Sequence, residues 1–362
     1  MVLHKYTKKH NINTFASLKP NKLLFPLAWV YNAITSIRNV LFNTGLIASE
    51  SFAIPVICVG NLNTGGTGKT PHVEYLVSML KDRLFLAVLS RGYKRASHGM
   101  VVAGAGSASE QIGDEPLMMH HKFPGVIVAV AENRRDAIRR LIDMNPLLEC
   151  VLMDDGFQHR SVKPRLTMLL TSYHSPFTRD RVLPAGSLRE SKSNYKRADV
   201  VVITKCPDDL TPVMRAKIRD EIRPVPGQLL LFSTIQYMPL RQATSSPHET
   251  GDLAGCRVLG FSGLASNADF IQYLDSYFPG YEHVSYGDHH IYQDEDLQHL
   301  VAKFNTIDAG RKIMVTTEKD YVKIIGHKAL AGMPLFYVPI HISFSDHDHK
   351  ALKEKIQSVC LT

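Results

Sequence analysis

Residues 54–71 read Ile54-Pro-Val-Ile-Cys-Val59, then Gly60-Asn-Leu-Asn-Thr-Gly-Gly-Thr-Gly68, then Lys69-Thr70-Pro71. The first block is a short apolar run of the kind that forms a buried strand. Downstream, Val73, Leu76, Val77 and Leu80 recur at the spacing of one helix face. Strand, glycine-rich loop and helix in that order are the context of a phosphate-binding loop. Gly65, Gly66 and Gly68 allow the tight curl that turns successive N–H groups toward one anion, and the helix dipole adds to the attraction. The cradle is expected to run over Asn63, Thr64, Gly65, Gly66, Thr67, Gly68, Lys69 and Thr70, with Lys69 reaching the terminal phosphates and the Thr70 hydroxyl ligating Mg²⁺. The common pattern opens on glycine where this chain has Asn63. Asparagine tolerates a left-handed backbone better than most residues, so the loop is still expected to form.

A phosphate loop needs an acidic partner for its metal at the end of a neighbouring strand. Cys150-Val-Leu-Met153 running into Asp154-Asp155 is such a strand end. Further apolar runs at 84–89, 126–130, 166–170 and 200–203 alternate with helical stretches. That alternation predicts an α/β fold, a doubly wound and mostly parallel sheet of the P-loop type. Thr204-Lys205 begins a guanine-recognition pattern, but Pro207 stands at its acidic position, so adenine nucleotide is the expected ligand.

The whole chain has 362 residues, 44% apolar and 21% charged, which excludes a disordered, collagenous or coiled-coil protein. At roughly 100–200 residues per domain, two domains are expected. Cys58, Cys150, Cys206, Cys256 and Cys360 lie far apart with no CxxC pair, so neither a zinc knuckle nor a disulfide framework is indicated. The net charge of +8 is concentrated at the start: before Glu50 there is no acidic residue, while Lys5, Lys8, Lys9, Lys19, Lys22 and Arg38 are basic. Such an arm suits a nucleic acid or an anionic membrane.

The stretch 23–47 chooses between them. Leu27, Val30, Tyr31, Ile34, Ile37 and Leu41 share one helical face, with Asn32, Ser36, Asn39 and Asn43 opposite. Arg38 and the asparagines interrupt any run of the ~20 apolar residues that a membrane span needs. A basic amphipathic helix lying in the membrane interface is therefore expected, and no nucleic acid. The alternative is that the apolar stripe packs on the domain core.

Together the motifs resemble one family, the tetraacyldisaccharide 4′-kinases, the lipid A kinases of Gram-negative bacteria. The resemblance rests on 60–71, Ser90-Arg-Gly-Tyr93, Gly113-Asp-Glu-Pro116, Asp154-Asp-Gly-Phe-Gln-His159, Leu183-Pro-Ala-Gly-Ser-Leu-Arg-Glu190, Asp288-His-His290 and Thr317-Glu-Lys-Asp320, in order over most of the chain. Asn63 and Lys94 depart from the common forms. The resemblance implies a P-loop domain, a smaller α/β domain and an N-terminal helix approaching the inner membrane. It implies ATP and Mg²⁺ as cofactors and transfer of the γ-phosphate to the 4′-hydroxyl of a lipid A disaccharide 1-phosphate, giving lipid IVA at the cytoplasmic leaflet.

By the same resemblance Asp114 is the base that takes the acceptor proton, and His289 orients it or shares the proton, with His290 as the alternative. Asp154, Asp155 and Glu190 are candidate Mg²⁺ ligands. Arg91 and Arg189 neutralise phosphate charge. Gln158 and His159 position phosphates or brace the loop, and Tyr93 contacts nucleotide or acceptor. Asp346-His-Asp-His349 is read as the solvated start of the last helix rather than a metal cluster. The divisions expected are a basic helix over 1–50, the kinase domain over 51–225, a linker over 226–255 and a smaller domain over 256–362, in a monomer whose active site is the cleft between the two domains. Rival readings are a P-loop ATPase that assembles a metal centre and a nucleotide-regulated membrane scaffold.

Overall fold

The computed structural model describes residues 22–243, 253, 255–264 and 266–360. Lys5, Lys8, Lys9 and Lys19 of the basic arm lie outside them, as do residues 244–252 and 254 of the expected linker. The strands in chain order are β1 (Val56–Asn61), β2 (Leu86–Ser90), β3 (Val101–Val102), β4 (Ile127–Val130), β5 (Cys150–Asp154), β6 (Leu166–Ser172), β7 (Val200–Thr204), β8 (Leu229–Tyr237), β9 (Arg241–Gln242), β10 (Arg257–Ser262), β11 (Glu282–Ser285), β12 (Lys312–Thr317), β13 (Leu335–Val338) and β14 (Ile340–Phe344). The helices are α1 (Phe25–Asn43), α2 (Lys69–Leu80), α3 (Ser109–Ile112), α4 (Asp114–Lys122), α5 (Arg134–Met144), α6 (Pro212–Ile222), α7 (Ala268–Tyr277), α8 (Asp294–Thr306), α9 (Glu318–Ile324) and α10 (Asp346–Cys360).

Nine strands form one sheet in the order β14-β8-β7-β6-β1-β5-β2-β4-β3, parallel except for β3 and β14 at its edges. The six residues of β1 are all buried, because helices cover both faces of the sheet. On one face Val73, Leu76, Val77 and Leu80 of α2 share a core with Leu352 and Ile356 of α10; on the other, Ala137, Ile138 and Leu141 of α5 pack under β1, β2 and β5. A second sheet, β11-β10-β12-β13-β9, is parallel apart from β9. The doubly wound architecture is the one the alternating pattern predicts.

Two boundaries differ from expectation. β8 lies within the expected linker yet is a strand of the larger sheet, its first half parallel to β7 and its second half antiparallel to β14. β14 and α10, expected in the C-terminal domain, return to that same sheet, because Leu352 and Ile356 can bury only where α2 offers an apolar face. The smaller sheet is thus an excursion from the larger one.

α1 docks by its polar side. Asn39 is buried and its amide donates to Glu190 Oε2 at 2.9 Å, the Tyr31 hydroxyl donates to the Arg189 carbonyl at 2.9 Å, and Arg160 donates to Asn43 Oδ1 at 2.8 Å. Leu27, Ile34 and Ile37 remain 59%, 62% and 61% exposed. The alternative in which the stripe packs on the core is therefore wrong for these residues; only Tyr31 and Leu41 of the expected apolar face are half-buried. No helix among the described residues is long and apolar enough to cross a membrane.

This inverted docking predicts opposite sensitivities on the two faces. Asn39→Ala strips a donor from a buried carboxylate and should cost about 1–3 kcal/mol, whereas Ile34→Ser should stay within about 0.5 kcal/mol of the parent. Urea unfolding of both variants measures this, and a larger loss from Ile34→Ser would refute the docking.

Candidate active site

β1 ends between β5 and β6, so the loop that follows it opens at the carboxyl edge of the sheet, where ligands of such folds collect. Gly68 adopts φ +84° as the residue before α2, a conformation that costs a glycine little. Asn63 does not use the left-handed conformation that asparagine tolerates; it holds an isolated bridge to Leu188 and donates to Asp180 Oδ2 at 2.9 Å. Lys69 Nζ rests 3.4 Å from Asn61 Oδ1 and 3.6 Å from Asp155 Oδ1.

The Thr70 hydroxyl donates to Glu115 Oε2 at 2.7 Å and lies 3.3 Å from Asp154 Oδ2. Asp154 is buried, and its Oδ1 has no hydrogen-bond partner among the described residues. Burial, reinforced by the charge of Glu115, lifts its pKa to about 7. Two carboxylates that meet at one hydroxyl, with one carboxylate oxygen unpartnered, are the oxygen donors a hard divalent cation takes. No group of three or more His, Cys, Asp or Glu among the described residues forms a metal cage by itself.

Asp114 is the residue before Glu115, at the first position of α4, and faces the smaller sheet. His289 Nδ1 lies 3.3 Å from Asp114 Oδ2, and Lys323 Nζ lies 3.5 Å from the same oxygen. Lys319 Nζ approaches His289 Nε2 at 3.4 Å and Glu115 Oε1 at 3.5 Å. An ammonium only donates, so Nε2 accepts and the Nδ1 proton points at Asp114. Burial alone would raise the Asp114 pKa; the His289 hydrogen bond and the charges of Lys323 and Lys319 outweigh it and leave the carboxyl below its usual value. His290 instead stacks on Tyr286 with centroids 4.5 Å apart and bonds Asp296 at 2.8 Å, so of the two histidines it is His289 that meets Asp114.

Other expected residues sit around this centre. Tyr93 is exposed, its ring 5.0 Å from that of His289, and Arg91 is exposed beside the same loop. Arg189 donates to both Asp155 oxygens at 2.9 and 3.0 Å, so Asp155 balances two cations instead of joining the oxygens around Thr70. Gln158 donates to the Asn61 carbonyl and to Glu190, which makes it a brace. Burial first, then Arg134, pushes the His159 pKa down to about 4 and keeps the ring neutral. Glu190 is corrected as a metal candidate. Its fully buried carboxylate is saturated by donors from Asn39, Gln158, Asn194 and Arg197, leaving no oxygen turned to an ion. At the last helix, Asp348 pairs with Arg215 at 2.8 Å.

Sequence reasoning missed Asn61, Glu115, Lys319, Lys323 and Arg134. The first three lie inside quoted motifs and were legible as polar positions without a role. Arg134 carried no signal. It is fully buried under the end of β5, where its guanidinium donates to the Ala131 and Asp154 carbonyls.

A doubly wound sheet with a phosphate loop, carboxylates beside its threonine and a carboxylate–histidine pair brought in from the smaller sheet's side defines a P-loop phosphotransferase. Residues 20–360 match the family model described as tetraacyldisaccharide-1-P 4′-kinase, and the chain belongs to that family. The tetraacyldisaccharide 4′-kinase of Bacteroides thetaiotaomicron is 41% identical over 353 residues, covering 94% of this chain and 93% of that one. That of Flavobacterium johnsoniae is 42% identical over 326 residues, covering 90% and 93%. The crystal structure of the Aquifex aeolicus LpxK protein in complex with ATP aligns with TM-score 0.74 at 29% identity, over 93% of this chain and 98% of that one. The chain is thus a kinase of lipid A biosynthesis.

One charged cluster at the cleft has a pH consequence. Lys122 sits 2.7 Å from Glu74 of α2 and 2.8 Å from Glu318 of α9, so two carboxylates share one ammonium. Burial raises the Glu74 pKa from 4.5 to about 7 against the pull of Lys122. The folded state then holds a proton that the unfolded chain releases, so this stabilisation is complete below about pH 4.5 and fades as pH rises through about 7. Compared with Glu74→Gln, the parent chain should lose thermal stability across that window; parallel curves would refute the assignment.

Proposed function

We propose that the chain transfers the γ-phosphate of ATP to the 4′-hydroxyl of a tetraacyldisaccharide 1-phosphate, forming lipid IVA at the cytoplasmic face of the inner membrane. The observation that carries this reading is the adjacency of Asp114 and Glu115: one carboxylate faces His289 and the other bonds Thr70 of the phosphate loop. The loop amides of Gly66, Gly68 and Lys69 hold the β- and γ-phosphates, and the Lys69 ammonium leaves Asp155 to reach them. Thr70, Asp154 and Glu115 would hold Mg²⁺, which when bound would supply charge neutralisation to the phosphate oxygens.

A sugar hydroxyl gives up its proton only as the new O–P bond forms, so it needs a positioned acceptor. Asp114 is ionised at neutral pH and takes that proton, while the Nδ1–H of His289 orients the carboxylate. Tyr93 offers its ring to the sugar beside His289, and Arg91 and Arg189 offer cationic charge to phosphate. The exposed stripe of α1 lies in the lipid interface and brings an acylated substrate to the cleft. All these groups come from one chain, so a monomer suffices.

Labelled ATP, Mg²⁺ and a monophosphorylated lipid A precursor should yield a doubly phosphorylated lipid; ATP hydrolysis indifferent to the acceptor would favour an ATPase instead. Asp114→Ala should lower turnover by ~10²–10⁴, and near-normal turnover would remove it from the mechanism. Replacing Leu27, Ile34 and Ile37 together by serine should weaken sedimentation with liposomes and leave ATP binding intact. Undiminished liposome binding would refute the interfacial role of α1.

A further inference from the structure

Several carbonyls of the phosphate loop are held by the protein, while the Thr64 and Thr67 amides are spent on the Ser187 and Gly65 carbonyls. The Gly65 carbonyl accepts from Asn61 Nδ2 at 3.1 Å, the Thr67 carbonyl from Thr204 Oγ1 at 2.9 Å, and the Gly68 carbonyl from His72 twice, from its backbone N–H at a long 3.2 Å and from its ring, whose Nδ1 is closer at 2.7 Å. A peptide group is planar and its C=O and N–H point in opposite directions. Anchoring these three carbonyls on the protein side therefore aims the N–H groups of Gly66, Gly68 and Lys69 into the cradle. The three clamps come from the end of β1, the end of β7 and the first turn of α2.

Of the three, His72 is the least expected and the most constrained. It is 1% exposed, and its Nε2 lies 2.9 Å from Ser233 Oγ of β8. A carbonyl oxygen can only accept, so Nδ1 carries the proton and Nε2 accepts from the serine hydroxyl. Burial pushes the ring's pKa down to about 4 and keeps it neutral, which this pattern of one donor and one acceptor requires. The ring also closes the space behind the left-handed Gly68, where a Cβ would meet His72 Nδ1 at 3.6 Å.

We propose that His72 is a positioning residue for nucleotide: the strut Ser233–His72–Gly68 fixes the peptide plane between Gly68 and Lys69 and so aims the Lys69 amide at the ATP phosphates. The strut rests on the phosphate-loop reading above and adds to it a residue that never touches the ligand. Its ring meets Gly68, Ser233 and Phe344, none of them assigned to the acceptor, so the strut is a device for nucleotide.

Asparagine and glutamine at position 72 separate the two halves of the strut. The asparagine amide reaches about as far as Nδ1 and can still donate to Gly68, whereas the glutamine amide reaches toward Ser233 and cannot. In the full-length chain with Mg·ATP and lipid acceptor, His72→Gln should raise KM for ATP about tenfold and leave KM for the acceptor within about twofold. His72→Asn should return KM for ATP to within about threefold of the parent. ¹⁵N NMR of the parent chain should show His72 as the Nδ1–H tautomer. Equal effects of asparagine and glutamine, equal movement of both KM values, or an Nε2–H tautomer would each overturn the proposal. Should neither substitution fold, Ser233→Ala keeps the ring and removes its anchor, and an unchanged KM for ATP in that variant overturns the proposal as well. A parent chain that does not saturate with ATP would defeat the phosphate-loop reading itself.

Discussion

Two consecutive carboxylates at the first turn of α4 are turned to different partners. Glu115 accepts from the Thr70 hydroxyl of the phosphate loop, and Asp114 accepts from His289 beyond the cleft. Adjacent side chains on a helix diverge by roughly a quarter turn or more, since a turn takes about 3.6 residues, so a dipeptide at a helix start can serve two sites at once. The placement depends on Gly113, whose φ of +91° lets the chain enter α4 against Gly92 and Tyr93; a Cβ there would press on the Gly92 backbone at 3.3 Å. Everything chemical in the cleft is referenced to this one turn, because it ties the smaller sheet's histidine and lysines to the larger sheet's loop.

Charge around the site is balanced in layers. Lys69 and Arg189 share Asp155, and Lys319 stands between Glu115, Asp288 and His289. Arg134 lies beneath the end of β5 as a fully buried cation, tolerated because Asp154 and Asp155 lie within its field and two carbonyls accept from it. A buried charge without such compensation would cost several kcal/mol. The charges of the site are thus already arranged in opposed pairs.

α1 reverses the ordinary logic of an amphipathic helix. Its hydrogen-bonding side is spent on Glu190, Arg160 and the Arg189 carbonyl, and its aliphatic side is left outward. Glu190 makes this possible: a carboxylate with no exposure needs donors on every lone pair, and Asn39 supplies one that only the helix can bring. The residue is therefore the clasp between α1 and the domain that carries the phosphate loop. It sits next to Arg189 in sequence, so the helix and the phosphate site share a short stretch of chain.

Much of this was legible from the residues in order. Apolar runs of strand length, glycines before Lys69-Thr70 and helical spacing after them define a phosphate loop because local backbone geometry and burial period are properties of short segments. Asp154 could be placed near Thr70 for the same reason, as a strand end in a parallel sheet. What sequence order could not reveal was direction. Which face of α1 meets the protein depends on Glu190, 151 residues away, and which of His289 and His290 meets Asp114 depends on a left-handed turn at His289. The return of β14 and α10 to the first sheet, the role of Arg134 and the removal of Glu190 from the metal site are likewise set by long-range complementarity of charge and apolar surface. No window of neighbouring residues contains that information, since each partner becomes visible only when the chain has folded back on itself.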